Sequence, residues 1–421
     1  MSDGPTPGQP TQAVILAGGR GARLRPLTDD RPKPMIALNG RPFVEYLLEL
    51  LRDQGIERVL LLLGYRAEVL QAHVGDGARW GISVESHVTP PEFETAQRLR
   101  FARSLLDPTF LMLYADNYWP LDLAKMWARR QALGAPAMVT VYRNRDGWSR
   151  GHNIRVDPNG FVTAYDRTRQ ASGLGGVEIG YAILDRSTLE FVTKDSQPIE
   201  HALYPHLIAQ GELAGFVTEQ RYYSIGSLER IPVTEAFLAR RPTLILDRDG
   251  VLNVRPPRAT YVRTPEDFEW LPGAVEAMRD LTQAGYRLLV ISNQAGVARG
   301  AMSRADLAAV EARMARDLAS AGARVDAFYY CTHDWDEGCE CRKPLPGLFF
   351  AAQRDFELDL SRTPYIGDDD RDRQAAEAAG APFIMVDESH PLRDVARDLM
   401  AQAGRDNGVA APAVASTGSA R

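Results

Sequence analysis

Short apolar runs of strand type alternate with amphipathic stretches along both halves of the chain. In the first half the runs lie at residues 13–16, 59–63 and 110–115, with a predicted helix that ends near Asp53. In the second half they lie at 244–246, 288–291, 327–330 and 365–367, with helices predicted to begin near Ala274 and Ser303. This alternation predicts mostly parallel sheets covered by helices on both faces.

The pattern divides the chain into two α/β domains, predicted at residues 12–240 and 242–405. Both are expected to be doubly wound and Rossmann-like. A length of 421 residues is sufficient for two such hydrophobic cores. Residues 406–421 are rich in Ala, Gly and Ser, and we expect them to form a disordered tail.

The composition excludes several classes of function. A net charge of -6 argues against a protein that coats nucleic acid. The longest aliphatic run, residues 59–63, is too short to span a bilayer, and residues 1–12 lack the features of a signal peptide. We therefore expect a cytoplasmic protein that has neither a nucleic-acid nor a membrane partner. The oligomeric state stays open, and a homo-oligomer is allowed.

Two aspartates, Asp247 and Asp249, follow the strand at 244–246, at the end where ligands bind to an open α/β sheet. An Asp-Arg-Asp-Gly segment is also ordinary turn chemistry. Polar side chains follow later strands in a fixed order: Ser292, Lys343, Asp368 and Asp372. That order resembles the haloacid dehalogenase phosphatase superfamily and implies a parallel sheet for the second domain.

The resemblance assigns a role to each of these side chains. Asp247 would attack phosphorus, and Asp249 would act as the general acid and base. Ser292 and Lys343 would bind the phosphoryl oxygens. Mg²⁺ would be bound by Asp247, by Asp368 and by the backbone carbonyl of Asp249, with Asp372 orienting the metal ligands.

All three cysteines of the chain lie within one short segment, together with a histidine. Cys331, His333, Cys339 and Cys341 are three thiols and one imidazole, a set that suits a tetrahedral structural Zn²⁺. Arg342 and Lys343 follow directly. This combination resembles the histidinol-phosphate and heptose-bisphosphate phosphatases, which implies substrate contacts from Tyr261, Asn293 and Arg342. Asp369 departs from that pattern, because heptose phosphatases often have lysine there.

A glycine-rich loop follows the first strand, where backbone N–H groups can approach phosphate closely. The loop and the basic residues near it resemble the sugar-phosphate nucleotidylyltransferases, of the heptose- or mannose-1-phosphate guanylyltransferase kind, which implies a mixed sheet. The implied nucleotide ligands are Leu16, Ala17, Gly18, Gly19, Gly21, Arg23 and Lys33. The resemblance also implies that Asp116 binds Mg²⁺ and that Arg167 binds the sugar phosphate.

Two segments depart from the nucleotidylyltransferase pattern. Glu94 and Gln97 replace the glycines of a Gly-Thr-Ala-Gly segment, and Ser224 stands where a second metal-binding aspartate is usual. A hydroxyl is a weaker ligand for Mg²⁺ than a carboxylate.

The two resemblances together predict a bifunctional enzyme. It would remove the 7-phosphate of D-glycero-D-manno-heptose 1,7-bisphosphate and then transfer a nucleotidyl group from a nucleoside triphosphate to the heptose 1-phosphate. A first alternative joins a hexose-1-phosphate nucleotidylyltransferase to a histidinol-phosphate-like phosphatase. A second makes the first domain a non-catalytic sensor of sugar nucleotides. The nucleobase and the anomer of the sugar stay open.

Overall fold

The computed structural model describes residues 8–193, 197–239, 241–257 and 259–406, with side chains to residue 402. The chain divides into two compact units, Met1–Ala239 and Arg240–Arg421. The predicted domain limits, 12–240 and 242–405, stay predictions. Apart from Asp406, the tail predicted at residues 406–421 lies outside the described residues.

A seven-stranded mixed sheet forms the centre of the first unit, in the order β7-β5-β6-β4-β1-β2-β3. Its strands are β1 Gln12–Ala17, β2 Arg58–Leu63, β3 Ser83–Val88, β4 Thr109–Tyr114, β5 Ala137–Tyr142, β6 Val177–Asp185 and β7 Leu213–Thr218. Strand β6 runs antiparallel to β4 and β5, and all other neighbours are parallel. The prediction of a mixed α/β sheet is confirmed.

Helices cover this sheet on both faces because successive strand residues point to opposite sides. Along β1, Ala13, Ile15 and Ala17 enter one core, and Val14 and Leu16 enter the other. The helices are α1 Phe43–Asp53, α2 Ala67–Val74, α3 Thr95–Phe101, α4 Leu123–Leu133, α5 Ile199–Ala202, α6 Tyr204–Gln210 and α7 Ile231–Leu238. Helix α1 ends at Asp53, as predicted.

In the part of the first unit that the structure describes, three short strand pairs lie outside the main sheet. Ala37–Leu38 pairs with Arg41–Pro42, and Asn117–Tyr118 pairs with Tyr223–Ser224. The third pair, Ile154–Val156 with Val162–Tyr165, is the hairpin predicted around Asp157. The second pair brings Ser224 to the segment that follows Asp116.

Five parallel strands form the sheet of the second unit, in the order β10-β9-β8-β11-β12. They are β8 Thr243–Leu246, β9 Arg287–Asn293, β10 Ala327–Cys331, β11 Tyr365–Gly367 and β12 Phe383–Met385. The helices are α8 Ala274–Gln283, α9 Arg304–Ser320, α10 Gly347–Phe356, α11 Asp370–Ala379 and α12 Leu392–Asp406. The capping pair predicted at Ser303 and Asp306 begins α9. Among the described helices of the chain, none combines the length and apolar character needed to cross a bilayer.

The parallel direction of these strands positions the polar residues of the second unit. Asp247 follows β8, Asn293 and Cys331 end β9 and β10, and Asp368 follows β11. Since parallel strands end at one edge of the sheet, these side chains meet there.

A buried arginine, Arg98 on α3, organises the loop edge of the first unit. It is 2% exposed, and its guanidinium donates to the carbonyls of Leu63 at 2.7 Å and Gly18 at 3.3 Å. It also donates to the carbonyls of Pro90 and Pro91 at 3.1 and 3.2 Å. A Cβ on Gly18 would lie 2.2 Å from the Arg98 Cζ. A side chain at position 18 would therefore displace this guanidinium from its hydrogen bonds.

We expect Arg98→Met to destabilise the first unit by about 3 kcal/mol, because the buried carbonyls that it joins would lose charge-assisted hydrogen bonds. Thermal unfolding followed by tryptophan fluorescence measures this effect, since Trp80, Trp119, Trp127 and Trp148 lie in this unit.

Arg103→Met is the matched control. Arg103 is exposed and forms one surface ion pair, with Glu190, so its loss should cost less than about 1 kcal/mol. Equal melting temperatures for the two variants would contradict the role given to Arg98.

Candidate active sites

The larger candidate site is a cavity of about 530 Å³ at the carboxyl edge of the second sheet. Seven residues predicted from the sequence to act in the phosphatase reaction or bind its substrate line it together: Asp247, Asp249, Tyr261, Ser292, Asn293, Arg342 and Lys343. Asp372, which was predicted to orient the metal ligands, is also in the wall. The structure thus brings side chains from distant parts of the chain to one place.

Lys343 is the central charge of this cavity and is 4% exposed. Its Nζ lies 2.9 Å from Asp247 Oδ2 and 2.6 Å from Asp372 Oδ1. It also donates to Tyr365 Oη at 2.7 Å, and Tyr365 donates in turn to Asp372 Oδ1 at 3.0 Å. The ammonium therefore holds two buried carboxylates, one of which is the predicted nucleophile.

The local charges shift the pKa values of this group. Burial raises the pKa of Asp247 to about 7; Lys343 opposes the rise, and Asp372 and Asp249 add to it. For Lys343, burial lowers the pKa, but Asp247 and Asp372 outweigh it and the net direction is upward. Burial raises the pKa of Asp368 to about 6, against the effect of Arg255. The cluster carries more negative charge than one lysine neutralises.

Asp249, the predicted acid and base, is held by a separate set of donors. Its Oδ1 accepts from Arg248 at 2.9 Å and from Asn253 Nδ2 at 3.0 Å, and its Oδ2 accepts from Gln294 Nε2 at 2.9 Å. Arg248 is fully buried, and Gln294 Nε2 also reaches Ser292 Oγ at 3.1 Å. These contacts fix the carboxyl group on the cavity wall while its other surface stays accessible.

The carboxylates next to Lys343 fit a divalent cation. Oxygen atoms of Asp247, Asp368 and Asp372 lie within 4.8 Å of one another, and oxygen ligands of this kind suit Mg²⁺. The Asp249 side chain is outside this group, so its predicted metal contact rests on its backbone carbonyl. Gly250, at φ 94°, packs directly against the Asp368 carboxylate, and a Cβ at position 250 would lie 1.8 Å from Asp368 Oδ2.

The four residues predicted to bind zinc form one cluster, with all ligand atoms within 4.8 Å. Cys331 Sγ lies 3.7 Å from Cys339 Sγ, and His333 Nδ1 lies 3.2 Å from Cys341 Sγ. Sulfur atoms on a tetrahedral Zn²⁺ are about 3.7 Å apart, since each Zn–S bond is about 2.3 Å. The donor set and its spacing therefore fit zinc.

The Cys/His cluster is connected to the cavity through the residues that follow it. Lys343 N donates to Asn293 Oδ1, and Asn293 Nδ2 donates to the Lys343 carbonyl, both at 3.1 Å. Arg342 projects a buried Nη1 that has no hydrogen-bond partner. Arg299 pairs with Asp334, which lies in the loop between His333 and Cys339, and donates to the Tyr261 hydroxyl at 3.1 Å. The loop thus positions both sides of the cavity.

The candidate site of the first unit is a smaller cavity of about 170 Å³. Its wall contains many of the predicted nucleotide ligands: Leu16, Ala17, Gly18, Gly19 and Lys33, together with Asp116. Lys33 Nζ lies 2.8 Å from Asp116 Oδ2, so the predicted phosphate ligand and the predicted metal ligand meet directly. Glu94 and Arg98 are also in the wall.

Other predicted residues of this unit lie outside the cavity wall. Gly21 and Arg23 belong to the next turn, and the Arg23 side chain is exposed. Arg167 is exposed as well, beyond the strand Val162–Tyr165. Ser224 is buried and pairs with Asn117, the residue after Asp116, but among the described residues no group of three metal-binding side chains includes Asp116. The assignments of Arg23 and Arg167 stay predictions.

Sequence reasoning missed four residues that organise the sites: Arg98, Arg248, Arg255 and Gln294. Arg248 and Gln294 could have been found, because Arg248 lies between Asp247 and Asp249 and Gln294 directly follows Asn293, each just after a buried strand. Arg255 contacts Asp368 and Arg98 contacts Gly18, across separations that no local pattern reveals.

Two family profiles match the chain. One described as nucleotidyl transferase matches residues 12–153, and one described as HAD-hydrolase-like matches residues 340–404. A D-glycero-beta-D-manno-heptose-1,7-bisphosphate 7-phosphatase from Bordetella bronchiseptica is 43% identical over 143 residues. That match covers 34% of this chain and 79% of the relative.

Two solved structures are also similar. A D,D-heptose 1,7-bisphosphate phosphatase from B. bronchiseptica, complexed with magnesium and phosphate, is 36% identical and covers 38% of this chain and 99% of its own, with a TM-score of 0.36. HddC from Yersinia pseudotuberculosis, complexed with GMP-PN, is 25% identical. This match covers 53% of our chain and 97% of the HddC chain, with a TM-score of 0.46.

We expect the purified protein to contain zinc and Cys339→Ser to lose it, because a hydroxyl replaces one of three thiolates. Apparent zinc-binding energies at such sites are on the order of 10 kcal/mol, so the loop and Lys343 should lose their order. Elemental analysis and phosphatase assays measure both effects. Trp335→Ala, at a loop position that is 71% exposed, is the control that should keep zinc. Purified wild-type protein that contains no zinc would contradict this prediction.

We expect Asp247→Asn to stabilise the protein at pH 8 in magnesium-free buffer, by on the order of 2 kcal/mol. Folding raises the Asp247 pKa to about 7, so the stability contributed by its protonated form is lost as the pH rises through 7. An amide cannot ionise, so the variant does not lose this stability at pH 8. Near pH 4 the Asp247 side chain is also uncharged in the folded protein, and the two proteins should be equally stable. Thermal unfolding at both pH values tests this, and equal stability at pH 8 would contradict it.

Proposed function

Because the chain belongs to the family of D-glycero-beta-D-manno-heptose-1,7-bisphosphate 7-phosphatases and carries a nucleotidyl transferase unit before its phosphatase unit, we propose that it is a bifunctional enzyme of nucleotide-sugar synthesis. The phosphatase unit would release the 7-phosphate of a heptose 1,7-bisphosphate. The first unit would join the resulting heptose 1-phosphate to a nucleoside monophosphate group. The observation that carries this proposal is the buried Lys343 that holds Asp247 at the wall of a cavity large enough for a sugar phosphate.

In the phosphatase reaction, a carboxylate oxygen of Asp247 attacks phosphorus. A bond forms between Asp247 and phosphorus while the bond from phosphorus to the sugar oxygen breaks, which leaves an aspartyl-phosphate. Lys343 supports this step because its ammonium lies beside the attacking carboxylate and can stabilise the negative charge on the phosphoryl oxygens.

Asp249 provides the proton for the departing sugar oxygen. In the second step it accepts a proton from a water molecule that attacks the aspartyl-phosphate, and this attack releases inorganic phosphate and restores Asp247. The contacts from Arg248, Asn253 and Gln294 orient its carboxyl group for both transfers. When Mg²⁺ is bound by Asp247 and Asp368, it supplies positive charge to the phosphoryl oxygens.

In the first unit, an oxygen of the sugar 1-phosphate attacks the α-phosphorus of the triphosphate, and the bond between the α- and β-phosphates breaks to release pyrophosphate. Lys33 supports this proposal because its ammonium lies at the cavity wall beside Asp116 and can bind phosphate oxygens. The backbone of Gly18 and Gly19 forms the adjoining wall.

One observation favours a second candidate, in which the first unit senses a sugar nucleotide and does not transfer it. Ser224 lies beside Asp116 and offers a hydroxyl where a carboxylate would bind a metal more strongly. In this case the first unit would bind a nucleotide without releasing pyrophosphate.

Two variants test the bifunctional proposal. Asp116→Ala should abolish pyrophosphate release and spare phosphate release, because each unit has its own phosphate-binding lysine. Asp247→Asn should do the reverse, since an amide does not attack phosphorus. Pyrophosphate and phosphate are measured with heptose 1,7-bisphosphate, heptose 1-phosphate and a panel of nucleoside triphosphates.

A mixture of the two variants is the internal control. It should restore conversion of heptose bisphosphate to nucleotide-heptose, because the intermediate can diffuse between molecules. If the wild type transfers no nucleotide to any sugar 1-phosphate but binds nucleotides, the sensor is favoured over the transferase.

A further inference from the structure

The ammonium group of Lys343 is shared between two carboxylates that have different places in the proposed reaction. A lysine ammonium has three hydrogen-bond donors. Its Nζ lies 2.9 Å from Asp247 Oδ2, 2.6 Å from Asp372 Oδ1 and 2.7 Å from Tyr365 Oη. Asp247 and Asp372 therefore compete for one cation, and of the two only Asp247 is the proposed nucleophile.

The competition between these carboxylates favours Asp372. Its oxygen is the closer of the two to Lys343 Nζ, and its side chain is the more deeply buried. Two opposite charges attract each other more strongly where less water surrounds them. Without a further contact, Lys343 would be drawn toward Asp372 and away from the carboxylate that it assists.

The Tyr365 hydroxyl changes this balance. It accepts from Lys343 Nζ and donates to Asp372 Oδ1 at 3.0 Å, so it supplies Asp372 with a second donor and reduces the demand of that carboxylate on the lysine. Tyr365 is fully buried and is not part of the cavity wall. The hydroxyl thus acts on Lys343 from the protein side, where a substrate does not reach it.

The packing around Tyr365 fixes its ring but does not require its hydroxyl. The ring packs edge-on against Phe349 of α10, with ring centroids 4.9 Å apart, and Tyr365 pairs with Phe383 of the neighbouring strand β12. A phenylalanine would fill the same apolar space without burying a hydroxyl, which costs free energy unless it is hydrogen-bonded. The reason for the hydroxyl therefore lies in its two polar partners, Lys343 and Asp372.

We propose that Tyr365 is a positioning residue of the phosphatase reaction, which keeps the Lys343 ammonium beside Asp247 by donating to Asp372. This inference rests on the proposed phosphatase function. Lys343 can stabilise the negative charge that develops on the phosphoryl oxygens, so its position matters most in the transition state. Two hydrogen bonds of 3.1 Å with Asn293 fix the backbone of Lys343, and Tyr365 fixes the tip of the side chain.

Tyr365→Phe removes the hydroxyl and keeps the ring. With heptose 1,7-bisphosphate we expect kcat to fall about tenfold and KM to change less than about twofold, because the misplaced ammonium weakens a transition-state contact. Orthovanadate resembles the five-coordinate phosphorus of the transition state, and its inhibition constant should rise about tenfold. The inhibition constant of inorganic phosphate, which resembles the ground state, should stay within about twofold of the wild-type value.

Tyr329→Phe is the matched control. The Tyr329 hydroxyl donates to Asp355 at 2.8 Å, so this substitution also removes a hydrogen bond between a tyrosine and an aspartate of the second unit, but outside the cavity wall. It should leave kcat and both inhibition constants unchanged. Melting temperatures show whether each variant is folded.

A Tyr365→Phe variant that keeps the wild-type kcat overturns the inference and leaves the phosphatase proposal standing. Equal rises in the inhibition constants of orthovanadate and phosphate would also overturn it, and so would a variant that does not fold, since the hydroxyl would then serve stability. If the wild type releases no phosphate from the bisphosphate, the proposed phosphatase function fails, and this inference fails with it.

Discussion

The second unit depends on one ion cluster, in which the Lys343 ammonium is buried between Asp247 and Asp372. Removal of ions from water costs several kcal/mol for each ion, and only close pairing offsets that cost. Here two contacts under 3 Å and the Tyr365 hydroxyl provide the pairing. Asp368 adds a third carboxylate, and Arg255 forms an ion pair with it. Three carboxylates then face two cations, so a bound divalent cation would offset the remaining negative charge and would favour the folded state.

The cluster is assembled from segments that are far apart in the chain. Asp247 follows the central strand β8, and its backbone N–H donates to the Ile366 carbonyl of β11 at 2.9 Å. Lys343 follows the three cysteines of the Cys/His cluster, and Asp372 lies in the first turn of α11. The Gln294 N–H donates to the Cys331 carbonyl at 2.7 Å, which connects the Cys/His cluster to the residue that holds Asp249. The Cys/His cluster and the carboxylates of the cavity thus share one scaffold.

The fold class and most of the phosphatase site could be predicted from the sequence, because both follow from local patterns. Apolar runs defined the strands, and polar residues directly after them had to meet at one edge of the sheet. The spacing of Cys331, His333, Cys339 and Cys341 was sufficient to predict that these four side chains lie together. Arg98 and Arg255 could not be predicted, because their partners are fixed only by tertiary packing. The first unit was harder for the same reason: Arg23 and Arg167 lie in turns whose direction the sequence does not determine.

Gly250 carries no reactive group, yet its place in the fold has an evolutionary consequence. Its backbone lies in the left-handed region, and the space that a side chain would need is filled by the Asp368 carboxylate. A lineage can change other residues of the cavity wall, but it cannot add one methyl group at position 250 without displacing the Asp368 carboxylate. Selection would therefore act on this glycine as strictly as on the proposed nucleophile, Asp247, although the two residues are constrained by different physics.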